Sequence, residues 1–392
     1  MDRVSGAHLT RRRLLSGLGV AVAGALSGCG RASPEPGPSG LVSSTTPAAL
    51  DEAALRRKIA SLLVVGFRGE RVGADDWIMR AVRDGLGGVI LFDRDLQADA
   101  PRNITSPQQV TELVRTLREA SPGRLIVSID QEGGPTSRLN PGNGFPATKS
   151  EAEIGAENSA AATRAWAQGM VDSLRSIGVN LNYAPVVDLN VNPTSPAIGG
   201  LQRSFSADPN VVVANAGEEI RVHRAGSVKT TLKHFPGIGS STGNTDFDVV
   251  DVTDTWQERE LEPFQRLIAD GLADAVMAAH VINRKLDPDR PTSLSPAVVT
   301  DLLRGRLGYR GPVVSDDLQA AAITARYGRD EAVTLALEAG VDLLVFANQQ
   351  VYDERVVDGT LDHVVNLVRQ GRITEARIDE SVARVDTLRP AR

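Results

Sequence analysis

Groups able to do chemistry stand directly behind short apolar runs at six places in this 392-residue chain: Asp93-Arg94, Asp130-Gln131-Glu132, Asp188, Lys233-His234, His280 and Asp316-Asp317. Carboxylates set among lysine, arginine and histidine suit acid–base and nucleophilic work. Cleavage of a glycosidic bond is one such reaction. It needs a carboxylate that attacks or stabilises the anomeric carbon and an acid that protonates the leaving oxygen. It also needs charged and polar side chains to hold sugar hydroxyls in charge-assisted hydrogen bonds. The sequence offers both sets. No cluster of His, Cys and carboxylates has zinc-like spacing, and no metal or organic cofactor is expected.

Such groups act together only where the fold gathers them. The apolar, β-branched runs are Leu62–Phe67, Gly88–Phe92, Leu125–Ile129, Leu181–Val187, Thr230–Leu232, Ala275–Ala279, Val313–Val314 and Leu343–Phe346. Between them lie longer amphipathic segments such as Ser159–Leu174 and Glu331–Ala339. Continuously apolar strands alternating with helices predict a parallel sheet covered on both faces. Eight such units predict an α/β fold, a (β/α)8 TIM barrel forming a single catalytic domain. A doubly wound open sheet is the alternative; the absence of a glycine-rich phosphate fingerprint at the first strand–helix junction weakens its nucleotide-binding version. In a barrel the carboxyl ends of all strands converge on one face, so the six polar groups would share one pocket.

A hydrophobic share of 41% and a charged share of 23% exclude disorder and a polytopic membrane protein. The net charge of −6 is spread along the chain, and no basic block pairs with aromatics, which argues against nucleic-acid binding. The N-terminus reads as a targeting segment. Arg11-Arg12-Arg13 has a twin-arginine look, and the apolar stretch Leu14–Leu26 is too short and Gly/Ala-rich for a settled membrane span. It ends in Leu26-Ser27-Gly28-Cys29, which resembles a bacterial lipobox. The expected layout is a signal peptide over 1–28, a lipidated Cys29 with a flexible Ser/Pro linker over 29–48, and a folded domain over 49–392. Cys29 is the only cysteine, so no internal disulfide forms. An exported monomer, tethered to the cell membrane by its lipid and facing the cell wall, is the expected state.

Several ordered motifs carry a more specific likeness. Lys233-His234-Phe235-Pro236-Gly237-Ile238-Gly239, Val314-Ser315-Asp316-Asp317-Leu318, Asp130-Gln131-Glu132-Gly133-Gly134 with Arg138-Leu139, and Ala184-Pro185-Val186-Val187-Asp188 resemble glycoside hydrolase family 3. Arg203-Ser204-Phe205 and Ala279-His280-Val281 follow in the right order. The likeness is greatest to the family's single-domain exo-β-N-acetylglucosaminidase branch, whose members recycle peptidoglycan. It implies a retaining hydrolase that removes terminal β-linked N-acetylglucosamine from cell-wall glycan fragments through a covalent glycosyl-aspartate. It implies Asp316 as nucleophile and Asp130, Arg138, Arg203, Lys233 and His234 as sugar-binding residues. A β-glucosidase or β-xylosidase, or a sugar-binding lipoprotein with an impaired acid, stays open as an alternative.

The chain departs from that branch at the acid. Where the branch has an Asp-Ser-His triplet on a mobile loop, this sequence has Asn244-Thr245-Asp246, and Ile238 replaces a further histidine. Asp246 is the expected acid/base, with Asp248 second, delivered by a loop that Gly237, Gly239 and Gly243 make flexible. Pro135 stands where the family has arginine and is expected to reshape the pocket rim. Of the remaining candidates, Glu132 is expected to be structural, Asp317 to cap the next helix, and His223 to lie at the surface. His280 either lines the pocket or packs in the core.

Overall fold

Eight parallel strands close into a ring: β1 (Leu63–Gly66), β2 (Gly88–Ile90), β3 (Ile126–Ile129), β4 (Leu181–Asn182), β5 (Lys229–Phe235), β6 (Ala275–Ala278), β7 (Val313–Asp317) and β8 (Leu343–Phe346). Each pairs with its neighbours in sequence, and β8 pairs with β1 to complete the barrel. This computed structural model describes residues 51–390. The expected signal peptide, Cys29 and linker lie outside the described residues.

A helix follows every strand: Trp77–Arg83, Pro107–Ala120, Ala160–Ser176, Pro209–Ala225, Glu262–Ala269, the π-wound Ala297–Arg306, Arg329–Ala339 and Val356–Arg369. The fold is a (β/α)8 TIM barrel. Strand residues such as Leu63, Val64 and Val65 are fully buried because side chains fill the ring inside and helices cover it outside. Helix starts follow capping chemistry. The Ser159 hydroxyl accepts from the Ala162 N–H, so the helix begins one residue beyond Ser159.

Several strands differ from their expected lengths, among them β2, which stops at Ile90, and β7, which runs on past Val314 to Asp317. The run Leu181–Val187 pairs regularly only as β4, then through a single bridge between Val186 and Lys233. Pro185 sits in the run and cannot donate to a ladder. The run Thr230–Leu232 extends instead to Phe235, because polar partners receive Lys233 and His234 inside the barrel mouth. His223 also differs from expectation. It is fully buried on the inner face of its helix, with Nδ1–H donating to the Glu219 carbonyl at 2.9 Å and Nε2 facing the Asn182 amide at 3.2 Å. Burial pulls its pKa down to about 4, so the ring is neutral.

The amino-terminal end of the barrel repeats one device. Asn180, Asp274 and Asp342 each precede a strand and accept, with a side-chain oxygen, from the backbone N–H of Val127, Thr230 and Val313 on the preceding strand. Asp342 is also the hub for Arg304, Arg377 and Arg384, at 2.5, 3.2 and 3.2 Å. The last two belong to the closing helix Glu375–Val385. At the other end, buried Arg102 donates to the carbonyls of Phe67, Ala347 and Asn348, which staples the β1–β8 seam.

Candidate active site

The carboxyl ends of the strands surround a cavity of about 380 Å³. Of the residues expected to meet there, Asp130, Arg138, Arg203, Lys233, His234, Asp246 and Asp316 all line it. Its floor includes Ile90, Tyr183, Met277 and Val345, an apolar layer that seals the barrel interior.

The cationic side is built on Lys233 and Arg203. Lys233, at the end of β5, is only 2% exposed and places Nζ 2.7 Å from Asp130 Oδ1 and 2.6 Å from Glu132 Oε1. Asp130 and Glu132 lie two residues apart on extended chain, so they share a face. Arg203 closes a bidentate pair on Glu132 at 2.7 and 2.8 Å. Burial alone would raise the pKa of Glu132. The Arg203 and Lys233 charges outweigh it and hold the carboxyl well below the usual range. Glu132 is therefore structural, as expected: it spends its charge fixing two cations. Arg203 also donates to the Ala197 carbonyl at 2.8 Å, so most of its hydrogen-bonding capacity is committed to the protein.

His234 is oriented from behind. Asp188, fully buried, accepts from His234 Nδ1 at 2.7 Å and from its backbone N–H at 3.1 Å, while its other oxygen takes the Ile238 N–H at 2.7 Å. The proton is thus placed on Nδ1, and Nε2 points forward, 3.3 Å from Arg203 Nη2. Lys233 and His234 both line the cavity, and the peptide joining them is cis. Arg138 stacks near Phe92, 5.4 Å from guanidinium carbon to ring centroid, and its buried Nε has no hydrogen-bond partner in the protein. A buried donor beside an open cavity is suited to a ligand oxygen.

Two carboxylates complete the ring of polar groups, and their surroundings differ. Burial opposes ionisation of Asp316. The imidazoles of His280 and His234, the Asp317 N–H at 2.9 Å and the Lys233 ammonium outweigh that cost and hold its pKa below the usual carboxylate value. For Asp246, burial and then the neighbouring charge of Asp316 act in the same direction and push the pKa up to about 6. Asp248 is exposed and turns back to the Val249 N–H, so it does not share the cavity.

The loop that carries Asp246 is anchored. The Asp246 and Thr245 carbonyls accept from the N–H groups of Ala321 and Ala322, just beyond β7, at 3.2 and 3.1 Å. Its glycines serve close packing, contrary to the expected flexibility. A Cβ on Gly239 would lie 1.6 Å from the Leu189 carbonyl oxygen, and one on Gly243 would lie 2.9 Å from Val250. Gly237 turns at φ +100°, a conformation that favours glycine.

Three further expectations are settled here. Asp317 does not cap a helix. It ends β7 and accepts from the N–H groups of Gln319 and Ala347 at 3.1 and 2.9 Å, while the next helix begins at Ala321 with Ala320 at its cap. Burial raises its pKa to about 7. His280 packs in the core, between the Ser293 hydroxyl at 2.6 Å and the Asp317 carbonyl at 2.9 Å. Pro135 sits exposed at a hairpin turn and does not itself line the cavity, although the next residue, Thr136, does.

Comparison with known proteins agrees with this arrangement. Residues 54–388 match the glycosyl hydrolase family 3 N-terminal domain. The chain belongs to this family. A β-hexosaminidase of Stenotrophomonas maltophilia is 36% identical over 304 residues, which is 75% of this chain and 85% of that protein. A family 3 β-N-acetylglucosaminidase from Paenibacillus superposes with a TM-score of 0.77 at 35% identity, covering 85% of this chain and 62% of that one. A β-N-acetylhexosaminidase from Beutenbergia cavernae superposes at 0.75 with 30% identity, covering 84% of this chain and 97% of its own. In this family 3 barrel, the side chains that the sequence left unassigned are Asp188, as the group behind His234, and the apolar rim residues Leu96, Leu201 and Phe247.

Proposed function

We propose that this family 3 chain is a retaining exo-β-N-acetylglucosaminidase that removes terminal β-linked N-acetylglucosamine from peptidoglycan fragments. One observation carries the reading: two carboxylates share one cavity, the surroundings of Asp316 favouring its ionised form and those of Asp246 pushing its pKa up to about 6. That division of labour is what glycoside cleavage requires.

In the first step Asp316 attacks the anomeric carbon and the glycosidic bond breaks, while the Asp246 proton passes to the leaving oxygen. In the second, Asp246, now a carboxylate, takes a proton from water as that water displaces Asp316. Two inversions retain the configuration. Asp130, Lys233, His234 and Arg138 hold the sugar hydroxyls, with Glu132, Arg203 and Asp188 fixing their positions. Resemblance to the named β-hexosaminidases supports the N-acetyl sugar.

The test is covalent trapping with 5-fluoro-N-acetylglucosaminyl fluoride, followed by peptide mass spectrometry. The label is expected on the peptide holding Asp316; attachment elsewhere, or none, would overturn the mechanism. Faster turnover of a nitrophenyl glucoside than of the N-acetylglucosaminide would change the sugar. Membrane tethering through Cys29, on the cell-wall side, belongs to the same proposal. Palmitate labelling that persists in a Cys29→Ser variant would remove it.

A further inference from the structure

Among the described residues only four large hydrophobic side chains are exposed: Leu96, Leu201, Phe247 and Val351, at 52, 37, 67 and 43%. Exposed apolar residues scattered singly are ordinary. These are not scattered. Leu96, Leu201 and Phe247 all line the mouth of the catalytic cavity, and Val351 directly follows Gln350, which lines it too. They come from separate loops, behind β2, β4, β5 and β8, so no single segment's composition accounts for the gathering. An apolar patch rimmed by polar groups at a pocket mouth is a binding feature.

We infer that Phe247, which shares the cavity lining with Leu96 and Leu201, seats the leaving part of the substrate by stacking on the apolar face of its first pyranose ring. The placement follows from the chain itself. The general acid must touch the glycosidic oxygen, and that oxygen departs with the leaving sugar. Phe247 is the acid's immediate neighbour. Thr245, on the other side of Asp246, is buried at 8%, whereas Phe247 is turned outward. Its N–H and that of Asp248 both donate to the Asn244 carbonyl, at 3.1 and 3.0 Å, so a turn fixes the residue without a ligand. A pyranose ring presents a face of C–H groups to an aromatic ring, and the contact is tolerant of what the sugar carries at its edges. The ligand class is thus a β-linked hexopyranose aglycone, with recognition through its face. This inference rests on Asp246 acting as the acid.

The test compares two substrates of the full chain: a β-1,4-linked N-acetylglucosamine disaccharide, and N-acetylglucosaminyl fluoride, which has no leaving sugar. The readout is the ratio of their kcat/KM values. Phe247→Ala should lower that ratio by roughly 3- to 10-fold, the scale of an aromatic stacking contact. Most of the loss should appear in KM for the disaccharide. Phe247→Trp should restore the ratio, and Phe247→Leu should restore it only in part. An unchanged ratio in Phe247→Ala, or a Phe247→Trp variant as poor as the alanine, would overturn the inference. A wild-type enzyme that turns over neither substrate would sink the hydrolase reading along with it. A wild type active on both, with a ratio insensitive to Phe247, would sink this inference alone.

Discussion

Asp316 and Asp246 carry the same functional group, and in the proposed mechanism only their neighbours make one a nucleophile and the other an acid. The pH profile should show this division. The reaction needs Asp246 protonated, so kcat/KM should fall as pH rises through about 6. It needs Asp316 ionised, so the acid limb should lie below the ordinary carboxylate pKa. Asp246→Ala should remove the alkaline limb. It should also slow alkyl glycosides by on the order of 10²- to 10⁴-fold while sparing activated aryl glycosides, which need little protonation. Equal losses on both substrate types would reject that role. Most of these residues were legible in the sequence because barrel topology sends every strand end to one face. Asp188 was not recognised as the partner of His234, because they stand 46 residues apart and only the fold makes them touch. His223 was misread because flanking arginines suggested solvent, whereas the helix turns that position inward.

The element that decides the chemistry is the loop after β5, and the structure shows it docked onto the turn after β7. Glycine spacing suggested mobility, since sequence alone does not reveal what a missing Cβ would strike. Gly239→Ala would force its methyl group to within 1.6 Å of the Leu189 carbonyl oxygen unless the backbone moves. The expected outcome is a loss of stability of about 1–3 kcal/mol, as for overpacked sites, and a larger loss of activity on poor leaving groups than on aryl glycosides. Thermal melts and paired kinetics would measure both; an unaltered melting temperature would contradict the close packing. Strand identity was legible from apolar runs and their boundaries less so. β4 stops early at a proline-containing run, and β5 continues into polar residues whose partners stand in the segments after β3 and β4.

For the molecule as a whole, chemistry occupies one end of the barrel and fastening the other. Asp342 ties strands β7 and β8 to the closing helix through Arg377 and Arg384, and to the helix before β7 through Arg304. Removing its charge strands those cations, and loss of one partner from a buried ion network costs about 3–5 kcal/mol. Asp342→Ala should therefore shift the denaturant midpoint strongly, while the folded fraction keeps its substrate preference. An unshifted midpoint would reject the hub. The β1–β8 seam has a consequence for biosynthesis. It joins residues 63–65 to residues 344–346, nearly the full span of the barrel. A growing chain that has released Asp316 from the ribosome still lacks one flank of the strand that bears it. The ring that frames the sugar site is complete only when the eighth strand takes its place between β7 and β1.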